Sequence, residues 1–194
     1  MSSEIAQRFR SLRSSARFWS LRYHDERREY FAMRQDTIEP PALSVDRGAM
    51  LTAVVEGGYG YCATSDLSVA GLQAALNRAT AWAEASRGRS VVPYDPAKFG
   101  APRGEYLTPA GAAAPARSAL YDMLAAECKR ANADPRIVAR YASLSLTDEE
   151  RVYLTNSGAD VRQRFRYTIP SMRVTANEGV VTQSRSLDYE QQGG

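Results

Sequence analysis

The chain has 194 residues, 44% hydrophobic and 24% charged, the range of an ordinary soluble globular protein of one or two domains. Its 25 basic residues, of which only Lys98 and Lys129 are lysines, stand against 22 acidic ones for a formal charge of +3, too even a balance to argue by itself for nucleic-acid binding. A single histidine, His24, and two distant cysteines, Cys62 and Cys128, match no usual zinc-ligand spacing, so no metal or cofactor ligand is assigned within these residues.

No stretch approaches the roughly 20 apolar residues that span a bilayer, and MSSEIAQRFRSLR lacks the apolar centre of a signal peptide. A cytoplasmic protein without membrane contact is expected, and two cysteines outside any C-x-x-C pair suit a reducing compartment.

Ile5, Phe9, Leu12 and Ala16 recur at helical spacing, with Ser2, Ser3 and Glu4 able to start the helix. The period then changes to two. Residues 18–24 and 28–34 flank the charged triplet Asp25-Glu26-Arg27, which predicts an antiparallel hairpin with its turn there. A second hairpin is predicted over 49–64, with Leu51, Ala53 and Val55 on one arm and Tyr59, Tyr61 and Ala63 on the other. The turn falls at Glu56-Gly57-Gly58, where glycine supplies a positive φ. At 64–68, Ser65 or Asp66 can cap a helix whose broad apolar face carries Leu67, Leu72, Ala75, Leu76, Ala79, Trp82 and Ala83, with Gly88 as its stop.

Between Arg89 and Pro115 there are five prolines, at 93, 96, 102, 109 and 115, and the small-residue run Ala110 to Ala114. Such a stretch suits an extended crossover, which predicts a division into 1–88, a linker over 89–115 and a second unit over 116–194. The second unit opens on a helix over about 117–131 presenting Leu120, Met123, Leu124 and Cys128. Val138, Leu144 and Leu146 then share one strand face before a charged turn at Thr147-Asp148-Glu149-Glu150 and the strand RVYLTN. Val161, Gln163, Phe165, Tyr167 and Ile169 alternate with Arg162, Arg164 and Arg166. Pro170 is expected to bend or end that strand, and Asn177-Glu178-Gly179 reads as a further turn.

The two halves overlay: DERREYF at 25–31 matches DEERVYL at 148–154, and Glu56-Gly57 matches Glu178-Gly179. The expected fold is therefore α+β, two similar units of helix plus antiparallel-hairpin sheet, by duplication or by convergent arrangement of hairpins.

The ordered set SVDRG at 44–48, VVEGGYGYCAT at 54–64, DLS at 66–68 and the alanine-rich helix after it is similar to the N-terminal region of the TldD/PmbA family, once labelled modulators of DNA gyrase and now understood as metallopeptidases. The second half resembles that family's middle region, with Asn156-Ser157-Gly158 at its N-S-x-G turn, so the likeness runs over roughly residues 4–192. The resemblance implies that zinc is held in a C-terminal domain by an H-E-x-x-x-H helix and a later cysteine, none of which has a counterpart here. It also implies dimers, of two copies or of paralogous subunits, that enclose a peptide-cleaving site. These residues would then be the non-catalytic N-terminal portion of a longer peptidase, shortened or split by gene structure, serving assembly and peptide access. A stand-alone module that binds a peptidase partner is the alternative, with nucleic acid as its less favoured ligand.

No catalytic residue is expected. His24 reads as a polar residue at a hairpin end, Cys62 and Cys128 as packing residues, and Asp25, Glu26 and Glu29 as solvated turn carboxylates. Asp46, Arg47 and Gly48 form either a turn or a placement of Arg47 at an interface. Arg162, Arg164 and Arg166 are either the solvated face of a strand or a contact for acidic partner residues or a peptide carboxylate. Gly57, Gly58, Gly60 and Asp66 complete the family-like turn residues and are read as structural.

Overall fold

A computed structural model of the chain describes residues 2–89, 91, 95–96, 100–108 and 115–192. In chain order the elements are α1 (Ser2–Ser11), β1 (Phe18–Arg34), β2 (Thr37–Val55), β3 (Gly58–Thr64), α2 (Val69–Ala85), β4 (Arg103–Leu107), α3 (Arg117–Arg130), β5 (Ile137–Thr155), β6 (Asp160–Glu178), β7 (Val181–Asp188) and β8 (Gln191–Gln192). The strand order is β3-β2-β1-β5-β6-β4, with β7 and β8 also pairing to β6. The α+β class expected from the sequence is what the chain adopts.

Contacts divide the chain into two compact units, each drawn from three stretches: 1–26, 46–107 and 149–164 in one, 27–45, 108–148 and 165–194 in the other. The first unit has a core of Ile5, Phe9, Leu12, Leu21, Tyr23, Leu51, Leu72, Leu76, Val152 and Leu154 with small residues between them. In the second, Leu120, Leu124 and Cys128 of α3 pack with Phe31, Met33, Ala142 and Leu144.

Where turn chemistry is written into the sequence, the chain turns. Glu56 (φ 47°) and Gly57 (φ 80°) form a two-residue loop closed by the Val55–Gly58 pair. Gly179 (φ 59°) opens the loop between Glu178 and Val181, which are paired in register. Both are positive-φ loops of the kind that suits the twist of a hairpin.

The two charged turns are absent. Asp25-Glu26-Arg27 lies inside the 17-residue β1, and Thr147-Asp148-Glu149-Glu150 inside the 19-residue β5. Neither segment contains a glycine or proline to force a reversal, and their charged side chains find partners in the folded chain, so the strands run on. The real reversal after β1 is at Gln35-Asp36, with Gln35 at φ 55°. DERREYF and DEERVYL are thus central segments of strands that neighbour one another in the order.

Other differences follow from packing. α2 is capped by Ser68, whose hydroxyl accepts the Gly71 amide, while Asp66 instead accepts the Ser68 amide. On β3 the buried positions are Gly58 and Gly60, and Tyr59 and Tyr61 are exposed. A Cβ at Gly58 or Gly60 would stand 2.1 Å from the carbonyl oxygen of Ala83 or Ala79, so α2 lies directly on the β3 backbone. That contact accepts only small residues, and Trp82 is left 67% exposed. Met123 and Val138, expected in the core, are also exposed, and α1 ends at Ser11, before the buried Leu12 and Ala16.

The proline-rich crossover contains β4, which pairs in parallel with residues 160–164 of β6 as the terminal strand of the order. Pro93, Pro109 and the run Ala110 to Ala114 lie outside the described residues. Pro170 does not end β6. It falls between the β8 pairing at 167–168 and the β7 pairing from 171, outside both ladders, and its carbonyl accepts the Tyr189 amide.

Candidate functional site

One polar constellation of the first unit is carried by β1 and β5. His24 and Glu26 are two residues apart on β1 and so project to one side of it. Glu149 comes from the neighbouring strand, its side chain only 4% exposed, with Oε1 3.0 Å from His24 Nδ1. Arg151 takes both oxygens of the same carboxylate, Nη2 lying 2.9 Å from Oε2. The carboxylates read as a solvated turn are therefore strand residues, and sequence separation had hidden that Glu149 meets the single histidine with Glu26 within 4.8 Å.

Asp25 makes a second group. Its Oδ2 accepts from the Tyr23 hydroxyl at 2.9 Å and pairs with Arg47 Nε at 3.0 Å. Burial first, and the Asp25 carboxylate second, raise the Tyr23 phenol above its ordinary value, while the same carboxylate raises Arg47. Tyr23 is thus a neutral donor at physiological pH. SVDRG, residues 44–48, lies within β2 rather than in a turn, with Asp46 exposed. Gly48 passes close to the Thr64 carbonyl, which a Cβ would approach to 3.1 Å.

The arginine row of β6 is not a row of free cations. Arg162 pairs with Asp160 at 3.1 Å and Arg166 with Asp148 at 3.0 Å, and Arg164 is exposed and has a contact of its own. Gly57 is a turn residue, whereas Gly58 and Gly60 serve the helix contact. Asp66 holds the approach to α2, and its acidity is strengthened by the hydrogen bonds from Ser68.

Asn156 carries a function that the sequence signalled only through resemblance. In the turn with Ser157 and Gly158 (φ 102°), its Oδ1 accepts the Trp19 amide at 3.0 Å and its Nδ2 donates to the Arg17 carbonyl at 3.2 Å. The turn therefore pins the entry to β1. Cys128 is fully buried, and that burial pushes its thiol up, while Cys62 is half-buried on β3.

Residues 19–83 match the PmbA/TldA metallopeptidase domain 1, and residues 111–194 match the PmbA/TldA metallopeptidase central domain. The chain belongs to the TldD/PmbA family. No curated protein matches it in sequence. In solved structures, it is similar to a protein described as a candidate modulator of DNA gyrase from Bacteroides thetaiotaomicron, at 18% identity and a TM-score of 0.76, over 97% of this chain and 44% of that one. It is also similar to TldE from Thermococcus kodakarensis, at 14% identity and a TM-score of 0.67, over 99% of this chain and 43% of the other. A third likeness, to a protein from Thermotoga maritima also described as a candidate gyrase modulator, has 11% identity and a TM-score of 0.66, over 89% and 39% of the two chains. At these identities the TldD/PmbA likeness in structure is one of fold, and the chain spans less than half the length of each protein.

The family description implies a metal, which the donor set here can be tested against. Among the described residues the one group of three candidate ligands is His24, Glu26 and Glu149, spread over two strands with a single imidazole. That does not fit the two-histidine helical set the TldD/PmbA resemblance implies for zinc, so no catalytic step is derived through a metal. No described helix is long and apolar enough to cross a membrane.

Proposed function

We propose that residues 1–194 are the non-catalytic portion of a TldD/PmbA-like metallopeptidase, acting in assembly and in shaping peptide access to a site built by another domain. The match of two successive family domains, without the paired histidines of the zinc helix, carries this reading. In it, segments 1–88 and 116–194 are the two family modules and 89–115 joins them. The partners are the protein's own C-terminal peptidase domain and a second copy or paralogous subunit, in the cytoplasm. An unfolded peptide would add to an outer strand such as β3 or β4 through main-chain hydrogen bonds. Arg47, in exchange for its Asp25 contact, and Arg162, Arg164 and Arg166 of β6, in exchange for theirs, are the cations that would meet a peptide carboxylate or an acidic partner.

The test is peptidase activity of the purified chain on an unfolded polypeptide, with added zinc and with chelator. No metal-dependent cleavage is expected; robust cleavage that chelator abolishes overturns the proposal. Binding to DNA that weakens steeply with salt would instead favour a nucleic-acid module.

A further inference from the structure

The geometry points to a binding site for one divalent transition-metal ion, of the zinc class, formed by His24, Glu26 and Glu149. This goes beyond the peptidase reading and does not depend on it. Each of the three residues offers one ligand atom, and the three atoms lie within 4.8 Å of one another. Two donors each about 2.1 Å from a common ion stand about 3.0 to 3.4 Å apart, from octahedral to tetrahedral angles. The 3.0 Å between His24 Nδ1 and Glu149 Oε1 already has that spacing. Glu26 lies within 4.8 Å of both donors, and it would exchange its present contact for the ion.

The donor chemistry agrees. One imidazole nitrogen and two carboxylate oxygens form a mixed set suited to zinc, manganese, cobalt or nickel, and His24, 40% exposed, leaves room for water in the remaining positions. Because the ligands stand on neighbouring strands, ladder hydrogen bonds rather than the ion hold them together, so ordering cost is low. Glu149 supplies the driving force. A carboxylate only 4% exposed needs compensating partners, and it has the Arg151 guanidinium on both oxygens and the His24 imidazole 3.0 Å from Oε1. A carboxylate has about four lone-pair sites, so Arg151 can keep its bonds while the ion takes the position between His24 Nδ1 and Glu149. Arg151 lowers the affinity by its charge, and Glu26 restores a second negative ligand. Without an ion, the same three residues form a simple histidine–carboxylate pair, and the experiment separates the two.

His24 is the only histidine in the chain, so the imidazole region of an NMR spectrum holds one ring. The full 194-residue chain carrying Cys62→Ser, to remove the half-buried thiol, is titrated with zinc chloride, and binding is measured in parallel by calorimetry. The site requires that the His24 ring signals shift and saturate at one equivalent, and that affinity fall as pH is lowered. His24→Gln and Glu149→Gln should each weaken zinc binding more than tenfold, and Glu26→Gln several-fold. A His24 ring unmoved by 1 mM zinc overturns the site, as does equal affinity in His24→Gln. Glu26→Gln, at the more exposed carboxylate, carries the comparison if Glu149→Gln does not fold.

Discussion

Replacing Gly60 by alanine should be among the most damaging single-methyl additions in this chain. The new Cβ would stand 2.1 Å from the Ala79 carbonyl oxygen, 2.5 Å from the Ala83 amide nitrogen and 2.8 Å from the Trp82 Cβ, where ordinary contact starts at 3.4 Å. Two of the three obstacles are helix backbone, so no side-chain rotation relieves them, and α2 must retreat by more than about 1 Å. That retreat strips contacts from Leu72, Ala75, Leu76, Ala79 and Ala83, all at 0% exposure. Overpacking of this kind costs about 1 to 3 kcal/mol, and the rigid obstacle puts Gly60→Ala near the upper end. At about 2 to 4 °C per kcal/mol for a chain of this size, 3 kcal/mol lowers the melting temperature by about 6 to 12 °C. The assay is thermal and urea unfolding followed by circular dichroism. Gly104→Ala is the control, because nothing lies within 4 Å of a Cβ there, and it should stay within about 0.5 kcal/mol of the parent. A Gly60→Ala melting temperature within 2 °C of the parent refutes the close helix contact.

Ser68→Ala removes the acceptor for the Gly71 amide and should cost about 1 kcal/mol in the same unfolding assay, with Ser68→Asp recovering most of it. A thiol reagent applied to the native chain should label Cys62 much faster than Cys128, which reacts at a comparable rate only after unfolding; equal native rates would contradict the buried, raised-pKa environment of Cys128. Asp134 is held down at about 2, against an ordinary 3.8, chiefly by hydrogen bonds from the Arg136 side chain and then from its backbone. A depressed folded-state value means its stabilisation is full above about 4 and is lost as pH falls through about 2. A carboxyl NMR titration that instead places Asp134 near 4, or an Asp134→Asn variant with unchanged acid unfolding, contradicts that linkage.

What could be read from the residues divides along a physical line. Glu56-Gly57 and Gly179 could be placed because a two-residue loop demands positive φ, a local requirement that glycine announces. The helix over 69–85 could be placed because Leu72, Ala75, Leu76, Ala79 and Ala83 repeat at its own period. Local rules failed where local chemistry was outvoted. Asp25-Glu26-Arg27 and Thr147 to Glu150 look like solvated turns until Arg47 pairs with Asp25, His24 meets Glu149 and Arg166 pairs with Asp148 from other parts of the chain. The reversal at Gln35-Asp36 has neither glycine nor proline to mark it. Likewise Tyr59 and Tyr61 alternate as core residues should, yet the intervening glycines are buried, because the approach of α2 decides which face of β3 is inside.

By itself, then, the sequence determined the α+β class, the two hairpin loops, the main helices and, through an ordered set of short segments, the TldD/PmbA kinship. Each rests on interactions spanning a few residues or on resemblance along the chain. Only the tertiary structure decided that one histidine and two carboxylates, from segments more than a hundred residues apart, lie within 4.8 Å of one another. Such a meeting depends on strand order and register, and neither is encoded in the spacing of any single segment.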